Sequence, residues 1–357
     1  MSARALAILV VLLVVLGGSA LLYQRQQSNE RPQDAAVLGQ PLLKNLPAAD
    51  IAAIKIAAPK SALTLERNDA GWTIRERDGF PADVAKVRQF VVELLELKIG
   101  QSMPIGEPDR ARLNLDGSGT RLELDAAGGK PLGKLVVGKK YFKREVDNPD
   151  RSPADGRFVA QPDEAGTAYI VSDPLVQAST RSADWIDRTA FQVEKVKRLE
   201  VRYPDGTGWQ ISRNGDNADW KLAGAKPGEK LDVGNANAAS YSLSLLELAD
   251  VAPKEAKDNP ALTGLDRPTV VNATTLDGLS YAIRVGKAEG ENYYVTFGFS
   301  GTVAGDDKDD RIKKLKARLP RETRLSDYVL LIPKSKLDDT LKPRAALLEK
   351  KPPPKKK

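Results

Sequence analysis

Three stretches carry residue types that can do chemistry. Gly133-Lys-Leu-Val-Val-Gly138-Lys139-Lys140 nearly spells the loop that cradles nucleotide phosphates. Its last position is Lys140, where a Mg²⁺-binding hydroxyl belongs, and Leu135-Val136-Val137 reads as a strand ending at a glycine turn. A phosphate cradle needs free amides ahead of a helix. The similar stretch further on has Tyr281 where the first glycine would fall. Asp306-Asp307-Lys308-Asp309-Asp310 offers hard oxygens for Ca²⁺, but Lys308 intrudes and no glycine or distal Glu stands at the required spacing. It reads as a solvated acidic loop, with Asp310 capping the basic segment Arg311 to Arg318, a surface helix. Glu93 and Glu96, one helical turn apart, imitate a carboxylate pair; they flank an apolar stripe and read as solvent-facing.

What is missing narrows the chemistry further. The chain has no cysteine and no histidine. Disulfides, thiolate zinc sites, imidazole metal sites and histidine-based triads are therefore excluded. A carboxylate-only or Lys/Tyr mechanism survives, yet no two acids stand at suggestive positions. No residue is assigned to catalysis, to a cofactor or to a metal, and a non-enzyme is expected. Of the net charge of +7, five units come from Lys350, Lys351, Lys355, Lys356 and Lys357. The body is nearly balanced, so no nucleic-acid partner is implied.

The aromatic cluster is Tyr293-Tyr294 with Phe297 and Phe299. Strand alternation sends Tyr293, Val295 and Phe297 to one face and Tyr294 to the other. One face is core, and the other is the candidate partner contact.

These residues must be positioned by elements, and the elements repeat. Asn68-Asp-Ala-Gly-Trp72-Thr-Ile is echoed by Asp216-Asn-Ala-Asp-Trp220-Lys-Leu, 148 residues on, and Val137-Gly138-Lys139 by Val285-Gly286-Lys287 at the same offset. Glu93-Leu-Leu-Glu-Leu97 recurs as Ser244-Leu-Leu-Glu-Leu248, and Leu115-Asp116 as Leu265-Asp266. The order predicts an α+β protein of two tandem duplicated modules, each a mostly antiparallel sheet packed by one helix. In module one, alternating strands around Ile51–Ile56, Leu63–Glu66 and Trp72–Ile74 lead to Pro81-Ala82-Asp83, a helix start with Asp83 as N-cap. The stripe Val84, Val87, Val91, Leu94 and Leu95 follows at helical spacing. In module two the helix is expected over about 236–248, and a polar insertion from Gly301 to Arg324 precedes the last strand. Trp72, Trp220, Gly138 and Gly286 are the expected structural anchors. The expected boundaries are module one at 42–172, a connector at 173–193 carrying Asp184-Trp185-Ile186-Asp187-Arg188, and module two at 194–335.

Ala5 to Leu22 is an uncharged apolar run behind Arg4, long enough for a thin hydrocarbon core. It predicts a transmembrane signal anchor over 1–23, followed by a juxtamembrane spacer at 24–41. Gly18-Ser19-Ala20 offers the small residues of a cleavage site, but the run continues to Tyr23, which favours the anchor. The bulk of the chain is then expected outside the cytoplasmic (inner) membrane. Residues 336–357 end in a basic Pro/Lys tail suited to anionic lipid or a cell-wall polymer.

Gly71-Trp72, Pro81-Ala82-Asp83, Val137-Gly138, Gly264-Leu-Asp-Arg-Pro268, Val285-Gly286 and Tyr293-Tyr-Val295, in that order, resemble the pattern of the bacterial DUF4340 proteins, over roughly residues 42–335. Module one departs from it at Leu113-Asn-Leu-Asp-Gly117, which lacks the proline, and module two lacks the Pro-Ala-Asp. The resemblance implies a membrane-anchored protein often associated with ABC-type transport systems, and it implies no catalytic residues. The expectation is an accessory scaffold meeting permease or ATPase subunits. The alternative is a module binding envelope polysaccharide, and a carboxylate-dependent enzyme stands behind both.

Overall fold

In the computed structural model, residues 37–349 are described apart from 70, 165 and 307. The run from Ala5 to Leu22 and the Lys350–Lys357 tail lie outside the described residues. No described helix is long and apolar enough to cross a membrane. The described residues divide into two compact units, one holding those up to Ala62 with Arg88–Thr180, the other Leu63–Val87 with those from Arg181 onward. The segment Leu63–Val87, read in the sequence as part of module one, thus belongs with the second unit.

The fold is α+β, with mostly antiparallel sheets and few helices. Strand β1 (Ile51–Ala58) is followed by a meander of β2 (Ser61–Asn68), β3 (Gly71–Ile74) and β4 (Phe80–Pro81). Helix α1 (Val84–Glu96) starts where Asp83 Oδ1 accepts the Ala85 and Lys86 amides at 2.9 and 3.4 Å. Its buried stripe is Val87, Phe90 and Leu94, while Val84 is 47% exposed. The expected stripe missed the inward-facing Phe90. Then come β5 (Ile99–Pro104), α2 (Glu107–Arg112), β6 (Thr120–Ala126), β7 (Pro131–Tyr141), β8 (Gly156–Ala160) and β9 (Thr167–Val171). In the first unit the order is β1-β6-β7-β8-β9-β5, antiparallel throughout.

The second unit continues with β10 (Val196–Arg202), β11 (Gly208–Ser212), β12 (Lys221–Leu222), α3 (Val233–Tyr241), β13 (Asp250–Val251), α4 (Lys254–Asp258) and α5 (Pro260–Thr263). β14 (Thr269–Thr275), β15 (Leu279–Glu289), β16 (Asn292–Gly301), α6 (Asp310–Leu325) and β17 (Leu330–Pro333) complete it. The sheet order is β12-β11-β10-β14-β15-β16-β17-β13.

The run β10-β14-β15-β16-β17-β13 has the same succession as β1-β6-β7-β8-β9-β5. Even the irregularities correspond. The register slips between Ile51 and Ala53 in the first sheet and between Val196 and Arg198 in the second. It slips again between Val137 and Lys140, and between Val285 and Ala288. Gly138 and Gly286 sit in these second bulges because backbone crosses them closely. A Cβ on Gly138 would collide with the Leu113 carbonyl oxygen and come within 2.8 Å of Leu115 Cδ2; on Gly286 it would collide with the Thr263 carbonyl oxygen. The β7 strand also disposes of the phosphate loop. Gly133 to Lys140 lie within β7, and the Lys140 ammonium is held by the carbonyls of Pro149, Asp150 and Ser152 at 3.0, 2.9 and 3.2 Å.

One helix per module is too few for the second unit. The insertion expected to be polar is the 16-residue helix α6, which buries Ile312, Leu315, Glu322 and Leu325. Asp309, not Asp310, caps it by accepting the Arg311 amide. The α3 helix is also shorter than expected, passing at Ser242–Ser244 into a single 3₁₀ turn.

Candidate functional site

The second sheet has one packed face and one open face, and strand alternation decides which residue goes where. Along β15, Leu279, Tyr281, Ile283 and Val285 are buried while Ser280, Ala282 and Arg284 are exposed. Register then lines up the open side in rows. Arg198, Thr274, Ser280 and Ser300 face one another across four strands; Glu200, Asn272, Ala282 and Gly298 form the next row; Arg202, Val270, Arg284 and Thr296 the third. The middle row is the smallest in side-chain volume, and a groove of about 550 Å³ lies along the first two rows.

The electrostatics of this face lean positive. Arg202 donates to Glu200 at 2.8 Å, and Arg198 donates to Gln210 Oε1 at 2.6 Å. Arg284 has no hydrogen-bond or ion-pair partner among the described residues. Such a platform can hydrogen-bond an extended partner and favour negative charge on it. It brings together no nucleophile, base and orienting group.

Beneath the same sheet lies a buried carboxylate that the sequence did not disclose. Glu322 of α6 is 2% exposed. Tyr281 donates its hydroxyl to Oε2 at 3.0 Å, and the Gln192 amide donates to Oε1 at 3.2 Å. Arg318 Nε lies 3.1 Å from Oε1 without a well-aimed hydrogen, so this contact is a charge pair rather than a hydrogen bond. Burial pushes the Glu322 carboxyl up, with Arg318 opposing, and burial beside Glu322 pushes the Tyr281 hydroxyl up as well. Arg318 spends its other donors on the Gln192 carbonyl, the Gln192 side chain and Glu194, at 2.7, 3.0 and 2.9 Å. Glu322 does not line the groove. The arrangement clamps α6 to residues 192–194, and only the i, i+4 spacing of Arg318 and Glu322 hinted at it.

The family model described as a domain of unknown function (DUF4340) matches residues 72–268, more than half of the chain. The chain belongs to the DUF4340 family. The matched span opens at Trp72 and closes at Pro268, two of the positions that carry the resemblance. No curated protein and no solved structure gives a significant match.

In this DUF4340 protein the aromatic cluster is spent mostly inside the fold. Phe297 stacks on Phe191 with ring centres 3.8 Å apart, and both belong to the main core. Tyr294 is on the opposite side of the sheet, yet it too is buried, in a smaller core with Ala252, Ala256 and Val329. Its hydroxyl donates to Glu289, and burial followed by that carboxylate raises it to about 12. Phe299, tilted against Tyr281 at 5.6 Å, and Tyr293 are half-buried. The outward side expected of Tyr294 is real, but α4 and the chain after it cover that end of the sheet; the open face begins further along the same strand and is polar.

The tryptophans divide. Trp220 is buried between strand and helix, its Nε1 donating to Asn237 of α3 at 2.8 Å with the Arg213 guanidinium 4.6 Å from the ring centre. Trp72 is only half-buried. Glu93, expected in solvent, is half-buried too; it accepts from Gln89 and Gln177, both at 3.0 Å, and burial raises its carboxyl.

Proposed function

We propose that this DUF4340 protein is a non-catalytic accessory component of an ABC-type transport system in the bacterial envelope. In this reading the apolar run Ala5–Leu22 anchors it in the cytoplasmic membrane, the body lies outside, and the open face of the second sheet meets the permease or ATPase-linked partner. The observation that carries it is the open face itself: polar rows across four strands, with Arg284 unpartnered. A surface of that breadth and chemistry suits a protein contact with a polar rim. We also propose that the halves descend from one duplicated module, supported by the shared strand succession and the paired bulges at Gly138 and Gly286.

The test is site-specific photocrosslinking from position 280 of the full-length protein in membranes. Recovery of transporter subunits is the expected result. Crosslinks spread evenly over abundant envelope proteins would sink the reading.

A second reading rests on the three arginines of the open face, which suit an anionic envelope polysaccharide. It predicts retention on such a polymer that weakens with salt and with Arg284→Ala.

A further inference from the structure

A second, smaller cavity within the second unit has a different character from the groove. It measures about 190 Å³ and is bounded by Phe80, Pro81, Ala82, Leu325 and Tyr328, with Asp187, Arg321 and Arg324 at its edge. Phe80, Ala82 and Leu325 are buried, and Tyr328 meets Phe80 edge-to-face with ring centres 4.9 Å apart. The walls are therefore apolar and held in place. An engineered apolar cavity of about 150 Å³ admits benzene in another protein, so this one has room for a single ring or branched aliphatic group.

The charges at its edge are unequal in availability. Asp187 Oδ1 accepts the Thr189 amide at 2.9 Å and Oδ2 lies 3.2 Å from Arg321. Burial works against ionisation of Asp187, but the Thr189 hydrogen bonds, with Arg321 and Lys86, hold the carboxyl low. Arg321 is committed in turn, since it also donates to the Thr189 carbonyl. That leaves Arg324, which has no partner among the described residues. The cavity thus couples a benzene-sized apolar slot to one spare guanidinium, whose planar fork matches a carboxylate.

We infer that this cavity binds a carboxylate carried on a single apolar side chain, with the side chain between Phe80, Leu325 and Tyr328 and the carboxylate on Arg324. A dianion fits less well, because Asp187 and Arg321 neutralise each other and only one cation remains. Free carboxylic acids and the last residue of a polypeptide share this chemistry. The inference stands apart from the reading of the open sheet face, since no residue is common to the two sites.

The test is calorimetric titration of the full-length protein in detergent with N-acetyl-leucine and N-acetyl-phenylalanine, each beside its C-terminal amide. The acids are expected to bind at least about tenfold more tightly than the amides, and Arg324→Gln to remove that preference. Arg324 is exposed, so the variant keeps the fold. Equal binding of acid and amide, no binding at millimolar concentration, or a preference untouched by Arg324→Gln overturns the inference. A pentapeptide ending in leucine then separates the sources: tighter binding than N-acetyl-leucine points to a polypeptide terminus, and equal binding to a free acid.

Discussion

The two sheets are built on one succession of strands but finished differently. Between β8 and β9 the chain makes a short turn through Pro162–Glu164; at the corresponding place, between β16 and β17, it inserts the helix α6. The polar side of the first sheet also carries charge pairs, Lys55 with Asp125 at 2.6 Å and Lys134 with Glu123 at 3.9 Å. The second leaves Arg284 unpaired beside small residues. The shared part is what backbone geometry requires: strand order, bulges and the glycines inside them. The divergent part is the helix α6 and the side chains that line the open face.

All four tryptophans, Trp72, Trp185, Trp209 and Trp220, lie in the second unit. Their fluorescence therefore follows that unit, while far-UV circular dichroism follows both, and comparing the two in denaturation separates the halves. The largest loss is expected from Glu322→Ala, which empties a buried site and leaves the Tyr281 hydroxyl and the Gln192 amide without their acceptor, and should cost about 3–5 kcal/mol. The loss should appear in the fluorescence transition, and a variant that moves only the dichroism would break the assignment of the clamp to the second unit. Next comes Trp220→Ala, at about 3 kcal/mol or more, against Trp72→Ala at roughly half of that, because Trp72 is only half-buried. Equal costs would mean that the two tryptophans play the same part after all.

Gly138→Ala and Gly286→Ala should each cost about 1–3 kcal/mol, since both add a Cβ against backbone. The first should shift dichroism alone, the second fluorescence as well. Markedly unequal costs would break the equivalence of the two bulges.

The smallest effect is a local one at low pH. Arg344 bonds Glu229 at 2.7 and 3.0 Å and, with the Lys226 amide, holds its carboxyl down at about 2. A depressed carboxyl stabilises above its unfolded value and loses that contribution as pH falls through the folded one. The contact should therefore persist down to about pH 4 and fade toward pH 2. In an NMR titration of the Glu229 carboxyl, Arg344→Gln should move the midpoint up toward the ordinary carboxylate range, with the Lys226 amide still holding it somewhat low.

Much of the frame was legible because it is written in periodicity and in glycine. Alternation sent Phe297 and Tyr294 to opposite faces, and Val-Gly-Lys recurs at both bulges, although the strands run on through the glycines instead of ending there. The Asp83 cap was readable from Pro-Ala-Asp. What stayed hidden was set by tertiary neighbours. Phe90 turns inward and Val84 outward because helix rotation follows the surface it packs against. Tyr294 is covered by α4, which no local pattern announces. The buried role of Glu322 could not be told from surface charge in a segment as basic as Arg311–Arg324. The open face was hard to see for the opposite reason: Arg198, Asn272, Ser280 and Ser300 belong to four strands, and only register sets them side by side.

The threading of Leu63–Val87 into the second unit has a consequence for how the protein is made. That segment leaves the ribosome before any other part of its unit and must wait until Arg181 and the following strands emerge, roughly 5–20 s at ordinary elongation speeds. Throughout that interval Leu65, Ile74 and Phe80, all buried in the finished protein, can pair within their own meander but lack the later-made part of their unit's core. Nascent chains of this protein should therefore engage holding chaperones more than two domains laid end to end would, and a split at any single peptide bond cannot yield both units whole.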